Sequence, residues 1–185
     1  MTRIIAGAAG GRALQTPPGA GTRPTSDRVR EALFSALEAR GALTGAQVLD
    51  LYAGSGALGL EAVSRGAAGA LFVESDRRAA AVVRANVAAL GVSDRCTVVA
   101  SSVRAALARE PADLVDLVLA DPPYLLAEDE LAADLHRLAG GWLAAGAVVV
   151  VERSSRSPEP SWPVDLVPEK PRRYGDTTIW IATRA

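Results

Sequence analysis

The segment Val48–Gly59 limits this chain more than any other. Val48-Leu49-Asp50-Leu51-Tyr52 reads as a strand and runs directly into Ala53-Gly54-Ser55-Gly56-Ala57-Leu58-Gly59, which opens a helix through about Arg65-Gly66. Strand, glycine turn and helix in immediate succession form the nucleotide-binding unit of α/β sheets. The rest of the chain keeps the same alternation, with strands expected near 47–52, 69–74, 96–100, 114–120 and 146–152. Helices are expected near 26–40, 57–65, 76–90, 101–109 and 128–139, a pattern that signals a doubly wound α/β sheet. Val148-Val149-Val150-Val151 is continuously apolar, as a strand covered on both faces must be. After the loop Ser157-Pro158-Glu159-Pro160 the tail changes character. Segments 164–169 and 177–183 read as a hairpin joined by residues 170–176, which adds an antiparallel pair at the sheet edge.

The glycines 54, 56 and 59 satisfy the G-x-G-x-x-G spacing of dinucleotide sites, and Glu74 ends the next strand about where an acid grips a ribose. The pattern alone leaves NAD and S-adenosylmethionine both open. Asp50 helps to separate them, because a carboxylate beside the turn repels a pyrophosphate and attracts a sulfonium and an α-ammonium. The loop residues Ala53, Gly54, Ser55 and Gly56, with Asp50 and Glu74, are therefore candidate cofactor ligands.

Asp121-Pro122-Pro123-Tyr124 follows the apolar run Leu117-Val118-Leu119-Ala120, so it is expected at the carboxyl lip of a buried parallel strand, where such sheets place ligands. Two successive prolines remove two backbone donors, fix φ and push the residue before each out of the helical region. The chain leaves the strand as a stiff hook carrying carbonyl oxygens, a carboxylate and an aromatic ring. Those groups can grip a planar ring that bears an amino group. A plain proline turn with a core tyrosine is the bland alternative.

The chain's 185 residues, 49% hydrophobic, suit one domain with a small appendage. We expect a basic N-terminal extension over 1–25 and the main domain over 26–185. A formal net charge of -1 leaves no global attraction to polyanions, so any nucleic-acid contact must come from a local patch. The first forty residues supply one: Arg3, Arg12, Arg23, Arg28, Arg30 and Arg40 face only Asp27, Glu31 and Glu38. Arginine's planar fork suits phosphate oxygens and can stack on bases; the bland alternative is a solvated basic arm. The glycines and prolines between Gly7 and Gly21 mark a hairpin-like lead-in, ending where Thr25-Ser26-Asp27 can cap the next helix. Cys96, the one cysteine, excludes an internal disulfide, gives no metal cluster and reads as a buried strand thiol. His136, the one histidine, falls on an amphipathic helix as a surface or interface residue. No apolar run spans a bilayer and Met1-Thr2-Arg3-Ile4-Ile5 lacks a signal-peptide pattern, so the cytoplasm is the expected compartment.

Three stretches together carry a resemblance: Arg23-Pro24-Thr25-Ser26-Asp27-Arg28-Val29-Arg30-Glu31-Ala32-Leu33-Phe34, Leu49–Ala62, and Asp121-Pro122-Pro123-Tyr124. With these the chain resembles, over essentially its whole length, the bacterial 16S ribosomal RNA guanine-N2 methyltransferase family. The resemblance implies a Rossmann-like seven-stranded mixed sheet with helices on both faces and S-adenosylmethionine as cofactor. It also implies 16S ribosomal RNA in the assembled small subunit as substrate, methylated on the exocyclic amine of a guanine by a monomer. On that reading Asp121 and the Pro122 carbonyl accept the amine hydrogens and Tyr124 stacks on the base. Arg23, Arg28, Arg30, Arg172 and Arg173 form a phosphate-contacting rim. Where many relatives carry an acid after the third strand, this chain has Ser101-Ser102, so the Ser102 hydroxyl or backbone groups hold the adenine. Three rivals remain: an adenine-N6 or glutamine-N5 methyltransferase using the same hook, an NAD-dependent oxidoreductase, and a non-catalytic RNA-binding module.

Overall fold

A computed structural model describes residues 1–19 and 26–185. Arg23 and Thr25 lie outside the described residues. In chain order the elements are β1 (Thr2–Arg3), β2 (Ala13–Leu14), α1 (Asp27–Ala39), β3 (Gln47–Leu51), α2 (Ala57–Ser64), β4 (Gly69–Glu74), α3 (Arg77–Ala89) and β5 (Cys96–Ala100). They continue with α4 (Val103–Leu107), β6 (Val115–Ala120), α5 (Glu128–Ala139), β7 (Leu143–Ser154), β8 (Leu166–Pro168), β9 (Arg172–Tyr174) and β10 (Thr177–Arg184).

The main sheet runs β5-β4-β3-β6-β7-β10-β8, with β9 also on β10. Strands β5, β4, β3, β6 and β7 are parallel and β10 returns antiparallel to β7. Chain order reverses between β3 and β6, which sit side by side with Leu51 opposite Ala120. The loops leaving these two strands therefore diverge around one crevice, the usual ligand position in an open α/β sheet.

The pleat sorts the core. Val48, Phe72, Leu117, Leu119, Val148 and Val150 face one way, against Leu33, Phe34 and Leu37 of α1, Leu60 and Val63 of α2, and Val83 and Val87 of α3. Leu49, Leu51, Val118, Val149 and Val151 face the other way, against Val103 and Leu107 of α4 and Leu131, Leu135 and Leu138 of α5. Each strand thus buries both faces, which explains its continuous apolar run. The helices begin where side chains can hold free backbone donors. Ser26 accepts from Val29 N–H at 3.3 Å, and Asp76 accepts from Arg78 and Ala79 at 2.7 and 3.1 Å.

The sheet has eight strands among the described residues where seven were expected. The additional strand is β9, inside what the sequence presented as a connector. Tyr174, Arg173 and Arg172 pair with Thr177, Thr178 and Ile179, leaving only Gly175-Asp176 as the turn. β8 pairs farther along the same edge of β10, with Pro168 opposite Ala182. β7 also starts earlier than expected. Leu143 pairs with Val115, residues between them and the valine run form a bulge, and pairing resumes at Val148 with Leu117. α4 spans only Val103–Leu107, and it starts later than expected because Ser102 caps it with a bond from Ala105 N–H at 3.2 Å.

The N-terminal hairpin pairs Thr2 with Leu14 and Arg3 with Ala13 and buries Ile4 and Leu14 in the main core. Buried Glu61 of α2 accepts Ile5 and Ala6 N–H at 2.8 and 3.0 Å while taking the Arg65 guanidinium. Asn86 of α3 exchanges bonds with the Gln15 backbone and donates to the Ser55 carbonyl at 2.9 Å. One amide thus ties the N-terminal segment to the glycine loop.

Candidate active site

A cleft of about 920 Å³ opens over the carboxyl ends of β3, β4, β6 and β7. Tyr52–Ser55 form one side, Glu74–Asp76 a second, the hook Asp121–Tyr124 a third, and Glu152–Ser154 with Thr177 a fourth. Met1, Thr2, Pro17, Pro18 and Arg30 close it from the N-terminal segment and α1.

The loop after β3 is held from several directions. Tyr52 sits at φ +58, a region that an aromatic residue enters only under constraint. Its hydroxyl donates to Asp134 of α5 at 2.8 Å, and burial, then the Asp134 charge, pushes the phenol's pKa up. Gly54 N–H donates to Glu74 at 2.7 Å, and the other Glu74 oxygen accepts Asp76 N–H at 2.9 Å. The Glu74 carboxylate therefore stands fixed at the cleft edge with lone pairs to spare. Gly56 adopts φ +80, and a Cβ there would meet Val83 Cγ1 at 3.0 Å. Gly59 answers a different demand: a Cβ would lie 2.4 Å from Phe72 Cε1 and 3.0 Å from Asp50 Oδ2.

Asp50 does not line the cleft. Strand alternation turns it to the face of Val48, beneath α2, where its carboxyl accepts Gly59 N–H at 2.8 Å. Burial chiefly, with repulsion from Glu74 added and the Gly59 bond opposing, pushes its pKa up to about 8. The sequence reading set this carboxylate in view of the ligand; it lies under the loop and acts on the site through the start of α2. Ser102 also lies apart from the main cleft. It lines an adjoining recess of about 350 Å³, with Val103, Leu126 and Asp134, which meets the cleft at Tyr52, Ser75 and Pro123. Its hydroxyl is engaged by the α4 cap.

The hook is more firmly held than its prolines alone require. Leu126 N–H donates to the Pro123 carbonyl at 2.9 Å, closing a turn with Tyr124 and Leu125 at its exposed tip. Arg153 at the end of β7, only 5% exposed, reaches beneath this turn and donates to the Pro123 carbonyl at 3.3 Å, the Leu126 carbonyl at 3.1 Å and the Glu128 carboxylate. Asp121 is half-buried in the cleft. Burial first, then the charges of Glu152 and Asp50, raises its carboxyl well above the ordinary range, with Arg153 pulling the other way. Sequence reasoning missed Arg153 and Glu152. Their signal was a charged pair directly after four valines, at the strand end where ligands bind.

The arginines divide. Arg30 is 2% exposed, and its Nη2 donates to the Arg3 carbonyl at 2.7 Å and to Asp27 at 2.9 Å. It is thus an internal strut facing the cleft instead of part of an open rim. Arg28 is exposed. Arg172 and Arg173 pair opposite Ile179 and Thr178, so the pleat sends them to opposite faces of the sheet and only one can share a given rim. Arg65, not singled out from sequence, gathers Glu31, Glu38 and Glu61 into one ion-pair network. His136 is exposed on α5. Cys96 is half-buried on the edge strand β5. No helix among the described residues is long and apolar enough to cross a membrane.

A sheet of this order, with a glycine loop after β3, an acid ending β4 and Asp-Pro-Pro-Tyr ending β6, defines the class of Rossmann-like methyltransferases. Within that class, the chain belongs to the family described as Conserved hypothetical protein 95, which matches residues 2–183. It is 40% identical over 163 residues to ribosomal RNA small subunit methyltransferase D of Escherichia coli (strain K12), covering 88% of this chain and 80% of that protein. The solved structure of the yhhF protein from Escherichia coli superposes with a TM-score of 0.83 at 38% identity, covering 99% of this chain and 97% of that one. An RNA methyltransferase from Salinibacter ruber, solved in complex with S-adenosyl-L-homocysteine, shares the fold with a TM-score of 0.66 at 17% identity, covering 88% of this chain and 94% of that one.

The residues present fit S-adenosylmethionine. Asp121, Glu74 and Glu152 crowd carboxylates around the cleft, and Asp121 is already driven toward its neutral form. A sulfonium with an α-ammonium relieves that repulsion, whereas a pyrophosphate adds to it.

Proposed function

We propose that this protein transfers a methyl group from S-adenosylmethionine to the exocyclic N2 amine of a guanine in 16S ribosomal RNA, within the small ribosomal subunit. The observation that carries the reading is the adjacency of two devices at the reversal of strand order. One is a glycine loop pinned to Glu74; the other is a hook whose residues Asp121, Pro122 and Tyr124 line the same cleft. Ribosomal RNA of the small subunit as substrate is supported by the name and 88% coverage of the Escherichia coli relative. Guanine N2 is our own assignment: the hook suits an exocyclic amine on a planar ring, and the resemblance of the three motif stretches to the guanine-N2 methyltransferase family selects the base.

When bound, S-adenosylmethionine supplies an electrophilic methyl group on sulfur. The chain does the rest by holding and orienting. Glu74 accepts the ribose hydroxyls, the recess at Ser102 and Val103 takes the adenine, and Ala53–Gly56 back the methionine end. Asp50 fixes the start of α2 from below through Gly59 N–H. A guanine amine is a poor nucleophile because its lone pair is delocalised into the ring. Asp121 and the Pro122 carbonyl accept its two hydrogens, turning the nitrogen pyramidal with its lone pair on the line of attack, while Tyr124 stacks on the base. As the sulfur–methyl bond breaks and leaves the neutral thioether, the nitrogen gains the methyl group and sheds one proton, which the Asp121 carboxylate accepts. Arg28 and Arg173 contact phosphates around the entrance and help to offset the cost of drawing the base from its stack.

Calorimetry tests the cofactor assignment. S-adenosylmethionine should bind with a micromolar Kd, roughly -8 kcal/mol. Glu74→Ala should weaken it by about 1–3 kcal/mol through lost hydroxyl bonds. Binding of NAD(H) with none of S-adenosylmethionine overturns the reading.

A further inference from the structure

Glu152 stands near the carboxyl end of β7, is 8% exposed and lines the cleft, and the roles given to Glu74, the glycine loop and the hook leave it without one. The sheet fixes its place. β6 and β7 run parallel with Ala120 opposite Val151, so Asp121 and Glu152 come next in register, about one strand spacing of 4.8 Å apart at the backbone. The pleat turns both to one face, the side of Leu119, Val150 and Ile179, and Ile179 is the residue of β10 that pairs with Glu152. Asp121 feels the Glu152 charge, which is second only to burial in raising its carboxyl. Glu152 has an interaction of its own within the protein, and the roughly four lone-pair sites of a carboxylate leave room for a further donor. Two carboxylates held side by side out of water are unfavourable unless donors meet them both.

We propose that Glu152 selects the base: its carboxylate accepts the N1–H of the guanine whose N2 amine meets Asp121. This deepens the guanine reading above and rests on it. Of the three bases that carry an exocyclic amine, guanine alone has a ring N–H beside that amine. Adenine has a bare N1 next to its amine and cytosine a bare N3, so neither supplies the second donor, and the carboxylate faces a lone pair where guanine offers a hydrogen. Guanine's other flank, N3, is bare as well, which sets the N1 side against Glu152. A base drawn from its stack is read on this edge, and a hydrogen bond to an ionised acceptor is among the stronger kinds. Asp121 by itself suits any amine; Asp121 with Glu152 one strand over suits an amine flanked by a ring N–H.

The test uses reconstituted small-subunit particles whose methyl-accepting guanine is replaced by 2-aminopurine, which keeps the amine at C2 and has a bare N1. It also lacks O6, a loss that wild type and variant share. Single-turnover methylation at saturating S-adenosylmethionine is measured for the wild-type protein and for Glu152→Gln, whose amide offers a donor to a bare N1 and an acceptor to N1–H. The wild type should be about 10- to 100-fold slower on the 2-aminopurine particle. For Glu152→Gln the two rates should come within about threefold of each other. Glu152→Met, which keeps the stem and removes both oxygens, should show the same narrowed ratio and replaces the amide variant if that one fails to fold. A wild type indifferent to the change at N1, or a variant that keeps the wild-type ratio, overturns the proposal. A kept ratio with weakened calorimetric binding of S-adenosylmethionine assigns Glu152 to the cofactor instead, and a kept ratio with a lower Tm makes it structural. Failure to place any methyl on guanine N2 of unmodified particles sinks the proposed function itself, a result read before any analogue is used.

Discussion

Replacing Arg153 by Met asks whether the hook works because it is stiff in itself or because β7 holds it. Methionine keeps most of the apolar stem and deletes three charge-assisted hydrogen bonds, to the Pro123 and Leu126 carbonyls at 3.3 and 3.1 Å and to Glu128. Bonds of that kind contribute about 1.5–3 kcal/mol each before compensation. Compensation is substantial here. Glu128 is 39% exposed and rehydrates, Pro123 lies at the surface, and the variant no longer buries a guanidinium. The net loss should be about 2–3 kcal/mol, a fall in Tm of roughly 5–10 °C for a domain of this size. The kinetic effect should be larger. Loss of hook position by about 1 Å costs on the order of 100-fold in rate. Single-turnover methylation of small-subunit particles with saturating S-adenosylmethionine, beside calorimetric cofactor binding, separates the two. We expect the rate to collapse while cofactor Kd stays within about threefold of wild type, under 1 kcal/mol. A variant that loses stability yet methylates at nearly the wild-type rate would refute the claim that Arg153 positions the reacting groups.

Asp121→Ala should abolish methyl transfer and leave cofactor affinity nearly unchanged in calorimetry, and Tyr124→Ala should be far more damaging than Tyr124→Phe, because stacking needs the ring and not the hydroxyl. Because burial lifts Asp50 to about 8, the stability linked to it is full below about pH 4 and is lost as pH rises toward 8. Asp50→Asn keeps an acceptor for Gly59 and should flatten urea-measured stability between pH 5 and 8; an unchanged slope would show that Asp50 carries no proton in that range. Gly59→Ala places a methyl 2.4 Å from the Phe72 ring and should cost about 1–3 kcal/mol in urea unfolding, a loss near zero showing that the ring can move aside. Neutralising Arg28 and Arg173 together should flatten the salt slope of RNA-particle binding by about two units without touching cofactor affinity. A lower Tm with the slope intact would make them structural.

The parts of the fold that the sequence displayed are those where one residue class serves one purpose. Val148–Val151 and Leu117–Ala120 are apolar throughout because both their faces are covered, and the glycine loop is legible because Gly56 and Gly59 answer steric demands that no other residue meets. β9 was hidden because Arg172-Arg173-Tyr174 has no apolar alternation and becomes a strand only through the edge that β10 offers it. Asp50 was misplaced because its nearness to the loop in sequence outweighed the two-residue period, which sends it beneath α2 with Val48. Arg30 was counted among surface charges, although its spacing with Leu33, Phe34 and Leu37 marks the buried face of α1. Arg153 acts on carbonyls 27 and 30 residues away, a pairing that only the closed sheet creates.

The measurement that bears most directly on the account is nucleoside mass spectrometry of 16S ribosomal RNA from small-subunit particles incubated with this protein and S-adenosylmethionine carrying a labelled methyl group. The account predicts label in N2-methylguanosine, at a single position, and none when Asp121→Ala replaces the wild type. Label in N6-methyladenosine, or in ribosomal protein with none in RNA, would contradict the assignment of the hook to a guanine amine.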